Sequence, residues 1–143
     1  MIVPIINVVA RGPATKAKII HTLNIAAHLE PKLKGTVEIN IIGSVAMRRL
    51  NRTCRGIDAV TDVLSFAWSE TAGKKQEAML GQVYVCPSHI AFQAKNFSVT
   101  FVEEFIRMLT HGLLHIVGYD HVGKREAALM FSLQELIVAE TLK

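Results

Sequence analysis

The run HGLLHIVGYDH, which places His111, His115 and His121 within eleven residues, constrains this chain more tightly than any other stretch. Two imidazoles four residues apart on a helix project from one face. Gly118 then lets the chain turn out of that helix, so that His121 folds back as a third nitrogen ligand. The predicted product is a facial three-histidine metal site at a helix end. Three protein ligands leave a tetrahedral ion one open position, the arrangement of catalytic rather than structural zinc, and that open position predicts hydrolysis.

A lone histidine on an apolar helix face is usually an ordinary packed residue. Helical spacing, a glycine turn and the adjacent Asp120 reverse that reading here. His21, His28 and His89 have no such context and are left outside the site. The spacing also matches the metzincin proteases, in which a glutamate after the first histidine acts as general base. This chain has Gly112 there, so metal Lewis acidity remains but the proton shuttle of peptide hydrolysis is missing. Asp120 either replaces that base or, as its position beside a ligand favours, orients an imidazole by accepting its second N–H.

A second constellation lies upstream, where Arg48, Arg49, Arg52 and Arg55 fall within eight residues of SVAMRRLNRTCRG. Ser44 is the expected N-cap and Gly56 the stop, so the arginines decorate one short helix and its end. Arg48, Arg49 and Arg52 fit a nucleic-acid contact and a solvated helix face equally well. Arg55 stands apart, because it closes the helix just before GIDAVTDVLSF, where Asp62 leads into a short apolar strand.

The segments LNRTCRG, TDVLSF and HGLLHIVGYDH together resemble the bacterial YbeY family, small metal-dependent single-strand endoribonucleases of ribosomal RNA maturation, from about Val37 onward. The resemblance implies one zinc ion per chain on His111, His115 and His121. It implies that Arg55 lines the cleft and is needed for activity, with Asp120 in the Gly-Tyr-Asp-His ending and Thr61, Asp62, Ser65 and Phe66 in the strand block. Arg48, Arg49, Arg52 and Ser65 are the further candidate RNA contacts. Single-stranded RNA is the implied substrate, with maturation of the 3′ end of small-subunit ribosomal RNA and ribosome quality control as the setting. Small-subunit ribosomal proteins or assembly factors are the implied partners. The chain departs from the family pattern at Cys54, Ile57 and Val60 around the arginine motif, and at Gln82, where family members normally carry aspartate.

With 143 residues, half of them apolar, one domain spanning residues 1–143 is the economical expectation. A net charge of +4 suits an anionic partner. Cys54 and Cys86 form no CxxC pair, and no signal peptide is evident, so a reducing cytoplasm is the expected compartment. The apolar run IVPIINVVA contains Pro4 and Asn7 and falls far short of the ~20 residues that span a bilayer. It reads as a buried strand, and no membrane association is expected.

Strands are predicted over Ile2–Val9, Thr36–Ile42, Val63–Trp68 and Gly81–Cys86. Helices are predicted over Ala14–Leu29, from Ser44 to the arginines, and over Pro87–Phe97, Val102–Val117 and Lys124–Leu142. The polar stretch SETAGKKQEAM is expected to be a mobile loop between paired strands. Alternation that gives way to helices argues for an α+β fold, a small mixed sheet of about four strands packed with about five helices. Phe105, Met108, Leu109, Leu113 and Ile116 form the core face of the ligand helix, and Phe92, Phe97, Met130 and Phe131 are read as packing residues. Trp68 and Tyr119 also read as packing, with base stacking the alternative.

The histidines and Arg55 suggest that a phosphodiester oxygen enters the open metal position while the guanidinium stabilises charge at phosphorus. No residue stands out as general base, so attack by water and attack by the neighbouring ribose hydroxyl both stay open. A zincin-like protease lacking its glutamate and a non-catalytic zinc-containing ribosome-assembly factor are the alternative readings.

Overall fold

A computed structural model of the chain describes residues 1–68 and 79–143, so the loop expected over SETAGKKQEAM lies, Met79 apart, outside the described residues. Four strands, β1 (Ile2–Val8), β2 (Gly35–Ile41), β3 (Val63–Ala67) and β4 (Met79–Val85), form one sheet in the order β1-β2-β4-β3. The first two pairings are parallel, and β3 runs antiparallel to β4 along the edge. Five helices are described: α1 (Lys16–Leu29), α2 (Ser44–Arg55), α3 (Pro87–Asn96), α4 (Phe101–Ile116) and α5 (Lys124–Thr141). The expected α+β class and mixed four-stranded sheet are therefore what the chain forms.

Local chemistry explains the helix ends. The Thr15 hydroxyl accepts from Lys18 N–H at the start of α1, and Thr100 does the same for Glu103 N–H at the start of α4. Glu103 and Glu104 then place negative charge in the first turn of α4, where the helix dipole is positive. Helix α2 corrects one expectation: Gly43, not Ser44, is the N-cap, and its carbonyl accepts from Met47 N–H while Ser44 is already helical. Gly56 ends α2 in the left-handed region at φ 73°, where a residue without Cβ meets no penalty.

Alternation along the strands divides the side chains between two cores. Val37, Ile39, Val83 and Val85 are fully buried beneath α1 and α4, against Leu23, Phe105, Leu109 and Leu113. Burying each large side chain contributes on the order of 2 kcal/mol. On the other face, Leu64 and Tyr84 pair across β3 and β4 and pack against Met47 and Leu50 of α2. The sheet thus sets α2 and α4 on opposite sides of β3, with their functional residues reaching the same strand. Met130 is core as expected, whereas Phe92, Phe97 and Phe131 are exposed and do not belong to it.

Candidate metal centre and cleft

Helix α4 carries His111 and His115 one turn apart and ends at Ile116. Gly118 takes φ 101°, its N–H donates to the His115 carbonyl, and Tyr119 N–H donates to the Leu114 carbonyl, which reverses the chain. His121 is returned to its partners by that turn, with ring centroids 5.4 Å from His111 and 5.3 Å from His115. One candidate ligand atom from each of the three lies within 4.8 Å of the others.

The outer nitrogens are held from elsewhere in the fold. His111 Nδ1 donates to Gln134 Oε1 at 2.7 Å and His115 Nδ1 donates to the Tyr119 carbonyl at 2.9 Å. Both partners are acceptors, so the Nε2 atoms carry lone pairs, and these face each other across 3.0 Å. Converging lone pairs repel unless a cation lies between them, and neutral imidazoles are a suitable donor set for a divalent ion. Burial lowers the pKa of both His111 and His115, keeping them neutral. The Gln134 and Tyr119 contacts act against that shift, and the neighbouring histidines add to it.

A cavity of about 470 Å³ opens beside the triad, lined across from it by Arg55, Asp62 and Ser65. Arg55 is the last residue of α2; its Nη2 donates to the Ser65 carbonyl at 2.8 Å and its guanidinium lies 4.8 Å from the Phe66 ring centroid. The Ser65 hydroxyl donates in turn to the Gly112 carbonyl at 2.8 Å, so β3 ties the arginine to the ligand helix.

At Gly112 the helix packs closely on the sheet. A Cβ there would meet Val83 Cγ1 at 2.7 Å, Val63 Cγ2 at 2.9 Å and the Ser65 hydroxyl at 2.9 Å. The position that bears the base in a zincin is therefore crowded by β3 and β4, and a side chain there would force Val83 or Val63 to shift.

Several sequence-derived candidates sit elsewhere. Arg48 and Arg52 pair with Asp58, at 2.8 and 3.5 Å, and with Arg49 they line a separate surface depression instead of the cleft. The Asp120 carboxylate accepts from Val122 N–H, while the partners that orient His111 and His115 are Gln134 and the Tyr119 carbonyl. Tyr119 is turned away from the cleft, its hydroxyl donating to the buried Glu30 carboxylate and its ring beneath Lys32. Gln82 donates to Glu38 of the neighbouring strand.

Other residues join the site without a signal in the motif. The rings of His111 and His121 stack on Phe131 of α5, with centroids 6.1 and 6.2 Å away. His89, at the start of α3, is paired through Nδ1 with the Asp62 carboxylate, so a histidine left outside the site supports a residue of the cleft wall.

A four-stranded mixed sheet with a ligand helix that, together with the turn after it, presents three convergent imidazoles to a cleft with a facing arginine defines a small metal-site α+β protein. The Endoribonuclease YbeY family matches residues 9–142, and the chain belongs to that family. The match reaches further toward the N-terminus than the motifs that carried the resemblance. The chain is 38% identical over 103 residues to the endoribonuclease YbeY of Ureaplasma urealyticum serovar 10, covering 72% of this chain and 65% of that protein. It is 33% identical over 134 residues to that of Brevibacillus brevis, covering 85% and 84%. The solution structure of TM1509 from Thermotoga maritima superposes with a TM-score of 0.62 at 28% identity, over 96% of this chain and 89% of that one. The matched segment thus spans about two thirds of the Ureaplasma relative.

Proposed function

We propose that the chain is a metal-dependent endoribonuclease that cuts single-stranded RNA, with His111, His115 and His121 holding one zinc ion. Its setting is maturation of the 3′ end of small-subunit ribosomal RNA and ribosome quality control in the cytoplasm, with small-subunit proteins or assembly factors supplying site selection. The single observation that carries the reading is the opposition of the three imidazoles and Arg55 across one cavity. Membership of the YbeY family supports the substrate and the setting. Among the described residues no helix is long and apolar enough to cross a membrane.

When bound, the ion supplies Lewis acidity to a phosphodiester oxygen. The chain's residues do the remainder. Three neutral imidazoles hold their lone pairs toward one point, and Arg55 presents a guanidinium, fixed by Ser65 and Phe66, to the charge that gathers on the phosphoryl oxygens. Met108 and Val63 add apolar surface to the cavity lining, which strengthens the charged contacts beside it. The ribose hydroxyl distinguishes RNA from DNA.

The test is cleavage of a single-stranded RNA by zinc-loaded wild type, Arg55→Ala and His115→Ala, with metal content measured on each. Loss of cutting in both, with metal retained only in Arg55→Ala, supports the reading. Undiminished cutting in both overturns it, and a cyclic phosphate end on the products would identify the ribose hydroxyl as the attacking group.

A further inference from the structure

His111 is tied to an ion pair through the amide of Gln134. Arg107, one turn before His111 on α4, donates from Nε and Nη2 to both oxygens of Glu135 on α5, at 2.9 and 3.0 Å. The same guanidinium donates to Glu103 at 2.9 Å and to the buried Glu104 at 2.8 Å, so its position is fixed by three carboxylates. Gln134 is 4% exposed; its Nε2 donates to Glu135 Oε2 at 3.1 Å while its Oε1 faces His111 Nδ1 at 2.7 Å.

The direction of every bond in this chain follows from its first member. Arginine only donates, and an ionised carboxylate only accepts. Glu135 can therefore receive only the NH2 end of the Gln134 amide, which turns the amide oxygen toward His111 and requires a proton on Nδ1. An amide free to flip would offer His111 either a donor or an acceptor. We infer that Arg107 and Glu135 are positioning residues that lock the Gln134 amide and thereby hold His111 as the Nδ1–H tautomer, with Nε2 left as the ligating nitrogen. The inference deepens, and depends on, the reading of the triad as a metal site.

The ion pair lies outside the cleft lining and touches no ligand directly. Partners of this kind set ring orientation and ligand basicity, and their loss lowers metal affinity by about 10- to 100-fold. Glu135→Gln keeps the shape but supplies a group that can donate or accept, so it releases the direction of the chain. Glu135→Asp keeps an acceptor-only carboxylate and with it the direction.

The experiment has two arms on full-length wild type, Glu135→Gln, Glu135→Asp and His111→Ala. In the first, the imidazole nitrogen signals of metal-free protein at pH about 8 are read by NMR, a pH well above the ordinary histidine range. Wild type and Glu135→Asp are expected to show His111 as Nδ1–H, and Glu135→Gln a mixture of tautomers. In the second, zinc affinity is measured by competition with a chromophoric chelator, with about a tenfold loss expected in Glu135→Gln and recovery in Glu135→Asp. An unchanged Nδ1–H tautomer with wild-type zinc affinity in Glu135→Gln overturns the inference. Zinc bound equally by wild type and His111→Ala overturns the metal reading itself, while the tautomer arm continues to report on the lock. Thermal melting of each metal-free variant identifies an affinity loss that comes from unfolding alone.

Discussion

The hydroxyl of Ser65 donates to the carbonyl oxygen of Gly112 across 2.8 Å, where the ligand helix packs closely on the edge strand. Gly112→Ala tests how much that approach matters. A helical alanine gains about 1 kcal/mol over glycine in propensity. The new methyl, however, meets Val83 and Val63 at 2.7 and 2.9 Å, and β-branched side chains have little freedom to move aside. Overpacking is expected to win, giving a net loss of about 1–2 kcal/mol in chemical denaturation, and the Ser65 bond would lengthen as helix and strand separate.

Arg55→Ala is expected to lower RNA cleavage by on the order of 100-fold, the scale of losing one donor to developing charge, at unchanged metal content. Arg55→Lys should recover only part of it. An ammonium keeps the charge but lacks the planar group that sits over Phe66 while donating to the Ser65 carbonyl. Rates measured under single-turnover conditions would check both.

Removing the ion should destabilise the fold and make its stability sensitive to pH. A chelator is expected to remove about 2.7 kcal/mol where zinc had been present at 100 times its dissociation constant. In the metal-free protein the ordinary histidine pKa is 6.5, and burial lowers it for His111 and His115. Above that value both folded and unfolded chains hold these rings neutral. As pH falls through 6.5 the unfolded chain takes up protons first, so stability falls until the folded rings protonate as well. Melting temperatures between pH 8 and 5, with and without zinc, would show it.

Tyr119→Phe separates packing from base stacking. Loss of the hydroxyl removes a hydrogen bond to the Glu30 carboxylate, which is 7% exposed, and is expected to reduce stability by about 1.5–3 kcal/mol. Cleavage rate and RNA affinity at a temperature where the variant is folded should be unchanged. A variant with reduced RNA affinity and unaltered stability would restore the stacking role.

The parts of the site that were legible in the sequence are those set by local geometry. Four-residue spacing on a helix, a glycine at positive φ and strand alternation depend on near neighbours, and the convergence of His111, His115 and His121 followed from them. Gln134 lies 23 residues from the histidine it supports, and His89 lies 27 from Asp62, so no periodicity announces either pair. Helix rotation was equally silent: Arg48 and Arg52 share a helix with Arg55, yet Asp58, beyond the Gly56 turn, draws them to a different side. Phe92, Phe97 and Phe131 carry the composition of a core but are exposed, Phe131 beside the histidine rings, which only tertiary packing determines.

Strand β3 lies at the end of the sheet, and its Ser65 carbonyl is covered by the Arg55 guanidinium while the Phe66 ring is covered by the same group. An uncovered acceptor beside an aromatic ring on an edge strand is a template for pairing with another chain. The cleft arginine thereby also occupies one backbone acceptor of the edge strand, so a single guanidinium serves both the reaction cavity and the rim of the sheet.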